Sequence, residues 1–170
     1  MNKKIRVGVL GAGAWGTTIS LVLSKKNNVL LWANEQKVVQ EINLKNKNNT
    51  FLKDIKLNKK INATNNLNNF SEIDYLFVVV PTQYISLTLK KLKGILNKNC
   101  MIVNASKGIE ISSLSLISEI IKNHFPKNPI SILSGPNFAK EIASGKPTAS
   151  LIASKSISDS KKISKLLSSS

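Results

Sequence analysis

An open, doubly wound α/β sheet of mainly parallel strands is the fold class that this sequence predicts. Three observations lead there. Strand-like apolar runs alternate with segments of helical periodicity, the order from which parallel sheets covered by helices are built. The run Tyr75-Leu76-Phe77-Val78-Val79-Val80 is apolar without a break, as expected of a central strand buried on both faces. A glycine-rich string, Gly11-Ala12-Gly13-Ala14-Trp15-Gly16, stands between the first strand-like run and the first helical segment.

Taken in order, Ile5-Arg6-Val7-Gly8-Val9-Leu10 predicts the first strand and Thr17-Thr18-Ile19-Ser20-Leu21-Val22-Leu23 the first helix. Val29-Leu30-Leu31-Trp32 follows as a strand, and Gln36 to about Lys45 as a helix. Residues 46–69 are polar and asparagine-rich, with a weak strand near Ile61-Asn62-Ala63. Pro81 ends the central strand, and Ile85, Leu89, Leu92, Ile95 and Leu96 recur at helical spacing. Met101-Ile102-Val103 predicts another strand, and Ile111, Leu114, Ile117, Ile121 and Phe125 one face of another helix. The chain then offers a strand at Ile130-Ser131-Ile132-Leu133 and a short helix opened by Phe138-Ala139-Lys140-Glu141-Ile142. A strand at Thr148-Ala149-Ser150-Leu151-Ile152-Ala153 and a helix from Ser158 to Leu167 complete it. With no internal repeat and no low-complexity linker, residues 1–170 read as one domain. Ile157, Ile163, Leu166 and Leu167 stay in register up to the serine-rich end, which predicts a domain cut short rather than one winding down.

Composition narrows the function classes. The net charge of +16 comes almost entirely from lysine, Arg6 being the single arginine. Nucleic-acid surfaces favour arginine forks and stacked aromatics, and neither is present, so no nucleic-acid partner is expected. The lysines are spread among asparagine, isoleucine and serine as in Asn43-Leu44-Lys45-Asn46-Lys47-Asn48-Asn49, a bias of solvated positions whose field still attracts phosphorylated metabolites. No apolar run approaches the roughly 18 residues of a membrane span. Cys100 stands alone, which excludes an internal disulfide, suits a reducing cytoplasm and predicts a small buried hydrophobe. No metal site is expected.

Between a strand and a helix, G-x-G-x-x-G becomes the dinucleotide-binding fingerprint; a plain glycine-rich turn is the alternative. Gly11 permits the tight turn, Gly13 removes a Cβ where pyrophosphate must approach, and Gly16 lets the helix pack on the strand. The N–H groups of the first helical turn then face the phosphates. Three further segments lie at the carboxyl ends of strands, where open α/β sheets bind ligands. They are Pro81-Thr82-Gln83, Lys107 before Gly108, and Ser134-Gly135-Pro136-Asn137-Phe138-Ala139. Lys107 would set a flexible cation beside a cofactor, its alternative being one more solvated lysine. The Gly135-Pro136 junction is either an anion site or an ordinary turn.

Four strings in this order resemble one family. Gly11-Ala12-Gly13-Ala14-Trp15-Gly16-Thr17, Val79-Val80-Pro81-Thr82-Gln83, Ser106-Lys107-Gly108-Ile109-Glu110 and Leu133-Ser134-Gly135-Pro136-Asn137-Phe138-Ala139-Lys140-Glu141 are similar to the bacterial-type NAD(P)-dependent glycerol-3-phosphate dehydrogenases. Asn49-Thr50-Phe51-Leu52-Lys53 corresponds weakly to that family's Asn-x-Arg-Tyr-Leu-Pro loop, Thr and Phe standing for Arg and Tyr and Lys53 for the proline.

The resemblance implies a Rossmann-type domain. It also implies reduction of dihydroxyacetone phosphate to sn-glycerol 3-phosphate for glycerophospholipid synthesis. It assigns Gly11, Gly13, Ala14, Trp15, Gly16, Asn34, Pro81, Lys107 and Ala139 to the cofactor, and Lys107, Gly135 and Asn137 to the substrate. Asn137 stands where the family usually has Ser or Thr, and its amide still donates and accepts. Asn34 ends the second strand where the family often carries a basic residue, followed by Glu35 and nearby Lys37. Both NAD and NADP are admitted, with a lean to NADP. The family's C-terminal helical domain, with its proton-transferring lysine, has no counterpart in residues 1–170. No catalytic residue is therefore assigned, and the chain alone is expected to be inactive. For the full-length protein a cytoplasmic homodimer is the expectation. The competing readings are another hydroxyacid-type dehydrogenase and a non-catalytic dinucleotide-binding module.

Overall fold

The computed structural model describes residues 5–168. The first βα unit is β1 (Val7–Leu10) and α1 (Ala14–Leu23), followed by β2 (Val29–Trp32) and α2 (Gln36–Lys45). A small hairpin, β3 (Lys47–Asn48) with β4 (Leu52–Lys56), leads to β5 (Ile61–Thr64) and a 3₁₀ turn at Leu67–Phe70. Next come β6 (Tyr75–Val78), a 3₁₀ turn at Thr82–Tyr84, α3 (Ile85–Lys91) and β7 (Met101–Asn104). The last elements are α4 (Ile117–His124), β8 (Ile130–Ser134), α5 (Ala139–Ala143), β9 (Leu151–Ser154) and α6 (Ile157–Leu167).

Seven strands form one sheet in the order β5-β2-β1-β6-β7-β8-β9. Every pairing is parallel except β8–β9. The chain first builds outward from β1 through β2 to β5, then crosses to β6 and builds the other way. The reversal opens a crevice outside the carboxyl ends of β1 and β6, the place where such sheets bind ligands. In register, Val9 lies beside Phe77 and Leu10 beside Val78.

Alternation along the strands sends side chains to two buried layers. Val7, Val9, Leu31, Phe77 and Val103 pack with Ile19, Leu23, Val38, Ile42, Ile163 and Leu166 from α1, α2 and α6. On the other face Leu10, Leu76, Val78 and Ile102 pack with Ile85, Leu89, Ile117 and Ile121 from α3 and α4. Burial of both faces is why the central strands read as unbroken apolar runs. Cys100 is buried as a small hydrophobe, and that burial pushes its thiol pKa up to about 12, with Asp74 adding to the rise and a backbone hydrogen bond at Leu76 opposing it.

Several boundaries differ from the periodicity. The first helix begins at Ala14, inside the glycine string. The helix expected from Ile111 begins only at Ile117, and Ile111 and Leu114 are 75% and 79% exposed. Leu114 has φ 53, which no helix accommodates. The helix starts where the Leu116 N–H donates to the Glu119 carboxylate at 2.8 Å. Similarly, α3 stops at Lys91, and Leu92 and Leu96 reach the core from turns. The β3–β4 hairpin was not expected. Its strands are too short and polar to be recognised, and Asn46, at φ 50, turns the chain out of α2 into it.

Candidate dinucleotide site at the sheet switch point

The glycine string lies at the crevice, and two of its glycines are fixed by close approach. Gly11 has φ +118, and a Cβ there would stand 2.8 Å from the Val79 carbonyl oxygen. Its N–H donates to the Trp32 carbonyl at 3.1 Å, tying the turn to β2. At Gly16 a Cβ would stand 1.8 Å from the Gly11 carbonyl oxygen, so the first turn of α1 rests directly on the turn out of β1. Gly13, the N-cap of α1, is different: a Cβ there would meet nothing within 4 Å. The first turn of α1 holds no acidic residue, so its unpaired N–H groups present uncompensated positive charge to the crevice.

Around this helix start is a cleft of about 640 Å³. Gly11, Gly13, Ala14, Trp15, Gly16, Asn34, Pro81, Lys107 and Asn137 all line it. The Trp15 indole N–H donates to the Ala105 carbonyl at 3.1 Å, fixing the ring between α1 and the end of β7. Asn34 and Glu35 border the cleft past the end of β2, and Phe51 reaches it from the tip of the hairpin. Gly135 and Ala139 do not line it. Gly135 supplies a carbonyl that accepts from Lys107 Nζ at 3.1 Å, and the Ala139 carbonyl lies 3.1 Å from the Thr18 hydroxyl, joining α5 to α1.

The wall carrying Lys107 is stitched to the end of β6. The Thr82 hydroxyl donates to the Lys107 carbonyl at 2.6 Å, and the Ser106 hydroxyl to that of Val80 at 2.8 Å. The Gln83 amide donates to the Ile109 carbonyl at 3.2 Å and accepts from the Ile111 N–H at 3.1 Å. Asn137 Oδ1 accepts from the hydroxyls of Thr148, at 2.7 Å, and Ser150, at 3.3 Å. The Asn137 amide is thus partly committed to the segment before β9. Gly135 has φ +149, and a Cβ there would crowd the Ala149 carbonyl oxygen at 2.9 Å.

Sequence reasoning missed Asn48. It is 0% exposed, and its Nδ2 donates to the Ala12 carbonyl and to the Thr17 hydroxyl, both at 2.8 Å. The signal is the loop matched to Asn-x-Arg-Tyr-Leu-Pro: with Thr50 and Phe51 standing for its Arg and Tyr, Asn48 takes the place of its leading Asn, though only the tertiary fold brings β3 beneath the glycine string. Thr82, Ser106 and Gln83 lay within or beside the strings already singled out. Among the described residues no group of three or more His, Cys, Asp or Glu is arranged to hold a metal ion.

Residues 6–160 match the family described as NAD-dependent glycerol-3-phosphate dehydrogenase N-terminus. The chain belongs to that family. It is 38% identical over 147 residues to glycerol-3-phosphate dehydrogenase [NAD(P)+] of Hyphomonas neptunium, covering 86% of this chain and 44% of the relative. To the enzyme of the same name from Novosphingobium aromaticivorans it is 42% identical over 148 residues, again covering 86% and 44%. Among solved structures, glycerol-3-phosphate dehydrogenase of Coxiella burnetii superposes with a TM-score of 0.92 at 28% identity. That match covers 98% of this chain and 52% of the other. The chain therefore spans about half the length of the glycerol-3-phosphate dehydrogenases it matches. A UDP-D-ManNAc dehydrogenase of Pyrococcus horikoshii shares the fold alone, at 13% identity and a TM-score of 0.78.

Proposed function

We propose that this chain is the dinucleotide-binding half of an NAD(P)-dependent sn-glycerol-3-phosphate dehydrogenase that reduces dihydroxyacetone phosphate for glycerophospholipid synthesis. One observation carries the reading. The uncovered N-terminus of α1, open space at Gly13 and Lys107 share a single cleft at the switch point. Its residues fit a dinucleotide: a side chain at Gly13 would fill the space before the helix, and no first-turn carboxylate repels phosphate.

In this reading Gly11, Gly13, Ala14, Trp15 and Gly16 border the pyrophosphate, and Asn34 meets the adenosine ribose. Asn34 is neutral and Glu35 lies beside it, so both NAD and NADP are admitted. Pro81 and Lys107 belong to the nicotinamide end and Lys107 and Asn137 to the triose phosphate, while Gly135 and Ala139 act from behind the lining through their carbonyl bonds to Lys107 and Thr18. The nicotinamide, when bound, supplies the hydride for the substrate carbonyl carbon. Lys107, held by the Gly135 carbonyl, contributes positive charge and orientation at that end. No group in these residues is assigned to deliver the proton to the carbonyl oxygen, so the chain alone is expected to bind without turnover. In the full-length protein the reading is of a cytoplasmic homodimer.

Titration calorimetry and thermal unfolding with NADH and NADPH test this directly. A ligand at a hundred times its dissociation constant adds about 2.7 kcal/mol of stability. No heat and no shift with either nucleotide at millimolar concentration overturns the binding reading. Measurable turnover of dihydroxyacetone phosphate by the purified chain overturns the expected inactivity.

A further inference from the structure

We propose that Asn48 is a positioning residue for the phosphate loop, acting by orienting a single peptide group. The inference rests on the dinucleotide reading and adds to it a residue outside the glycine string. Ala12 C=O and Gly13 N–H belong to one planar, trans peptide unit, so they point in opposite directions. The Ala12 carbonyl is drawn into the protein by two donors, Asn48 Nδ2 at 2.8 Å and the Thr17 hydroxyl at 3.1 Å. The Gly13 N–H of the same peptide is thereby turned outward. Among the described residues it has no hydrogen-bond partner, and the space around Gly13 is open. A backbone donor turned toward the cleft is what an anionic oxygen needs.

The chemistry of Asn48 supports this role. Its amide orientation is forced, because a carbonyl oxygen only accepts and therefore must face the NH₂ group. Asn48 Oδ1, by contrast, is buried without a partner. A half-satisfied buried amide carries a desolvation cost that packing alone would not retain, since an apolar side chain of equal volume would avoid it. The bond that Asn48 does make falls on the one peptide that shapes the pyrophosphate end of the cleft. Thr17, also fully buried, closes a triangle with Asn48 Nδ2 and the Ala12 carbonyl. Together they lock the loop before any ligand arrives, so that binding does not have to order it.

The test uses the 170-residue chain with NADH and ADP-ribose as probes. Asn48→Leu deletes the donors at nearly constant volume, and Thr17→Val removes the companion hydroxyl isosterically. The expected result is at least a tenfold loss of affinity for both probes in N48L and a smaller loss in T17V. In ¹H–¹⁵N spectra the Gly13 amide should move downfield on NADH addition in the wild-type chain and lose that shift in N48L. A merely structural residue would lower the unfolding temperature without erasing the Gly13 response below it. Should N48L not fold, T17V decides by the same two readouts. Binding within twofold of wild type, with the Gly13 shift intact, overturns the proposal. If the wild-type chain binds neither probe, the dinucleotide reading itself falls, and this inference with it.

Discussion

Replacing Gly16 and Gly13 with alanine separates the two uses of the glycine string. At Gly16 the new Cβ would stand 1.8 Å from the Gly11 carbonyl oxygen, 3.0 Å from its carbon and 3.5 Å from Val79 Cβ. The first two atoms are backbone, so no rotamer change relieves the contact; α1 or the turn must shift. Overpacking costs about 1–3 kcal/mol, and the backbone clash places this case at the upper end. Alanine in a helix regains about 0.5–1 kcal/mol over glycine, leaving a net loss of about 2 kcal/mol. At roughly 2–4 °C per kcal/mol for a chain of this size, G16A should unfold about 4–8 °C lower. Gly13→Ala meets no atom within 4 Å and sits at φ −64, which any residue adopts. The poorer N-cap and the stiffer unfolded chain are each worth less than about 1 kcal/mol and oppose each other, so Tm should move by less than about 2 °C. Its methyl group nevertheless occupies the space in front of the helix, and NADH binding should be lost. Differential scanning fluorimetry and calorimetric titration on both variants measure this. An unchanged Tm in G16A refutes the packing argument, and wild-type NADH affinity in G13A refutes the phosphate approach.

Three other outcomes are expected. Lys107→Met removes an exposed cation and one hydrogen bond to the Gly135 carbonyl. It should leave Tm within about 2 °C, weaken NADH binding several-fold and flatten its dependence on salt, checked by titration at two ionic strengths. His124 Nε2 lies 3.0 Å from the Ser86 hydroxyl. Burial, then Lys93 and Lys90, lower its pKa below 6.5, with Glu110 opposing. The unfolded chain therefore binds this proton first as pH falls. Its contribution to stability is complete above about pH 6.5 and is lost as pH drops through the lower folded value. His124→Gln should flatten the fall in Tm between about pH 7 and 5.5, and equal slopes in the two proteins would contradict this. With its thiol pKa at about 12, Cys100 should resist iodoacetamide in the folded chain at neutral pH and react once urea unfolds it. Stoichiometric labelling of the folded chain would show that Cys100 is accessible.

The sequence alone determined the first βα unit, the mainly parallel sheet and most of the assigned residues that line the cleft at the carboxyl ends of its strands. Those features are written in local signals: unbroken apolar runs for strands buried on both faces, and glycines where backbone meets backbone. Gly11 and Gly16 stand at the tight turn and the helix–strand contact that the string predicts, and Gly13 faces open space. The family, too, was legible in four short strings. Periodicity failed where an apolar residue faces solvent, as at Ile111 and Leu114, because spacing records polarity and not contact. It failed again in the β3–β4 hairpin, where Leu52 and Ile55 alone turn inward and buried Asn48 bonds the Ala12 carbonyl, too few apolar positions to make a pattern. Tertiary structure alone decided that Asn48 lies under Ala12, that Gln83 clamps the Lys107 loop, and that Gly135 and Ala139 support the cleft without lining it. Each depends on residues distant along the chain being brought within hydrogen-bond range, and a sequence holds no local record of that distance. The glycine string carries the dinucleotide fingerprint in its own residues; the hydrogen bond from the hairpin's Asn48 to the Ala12 carbonyl exists only in the folded chain.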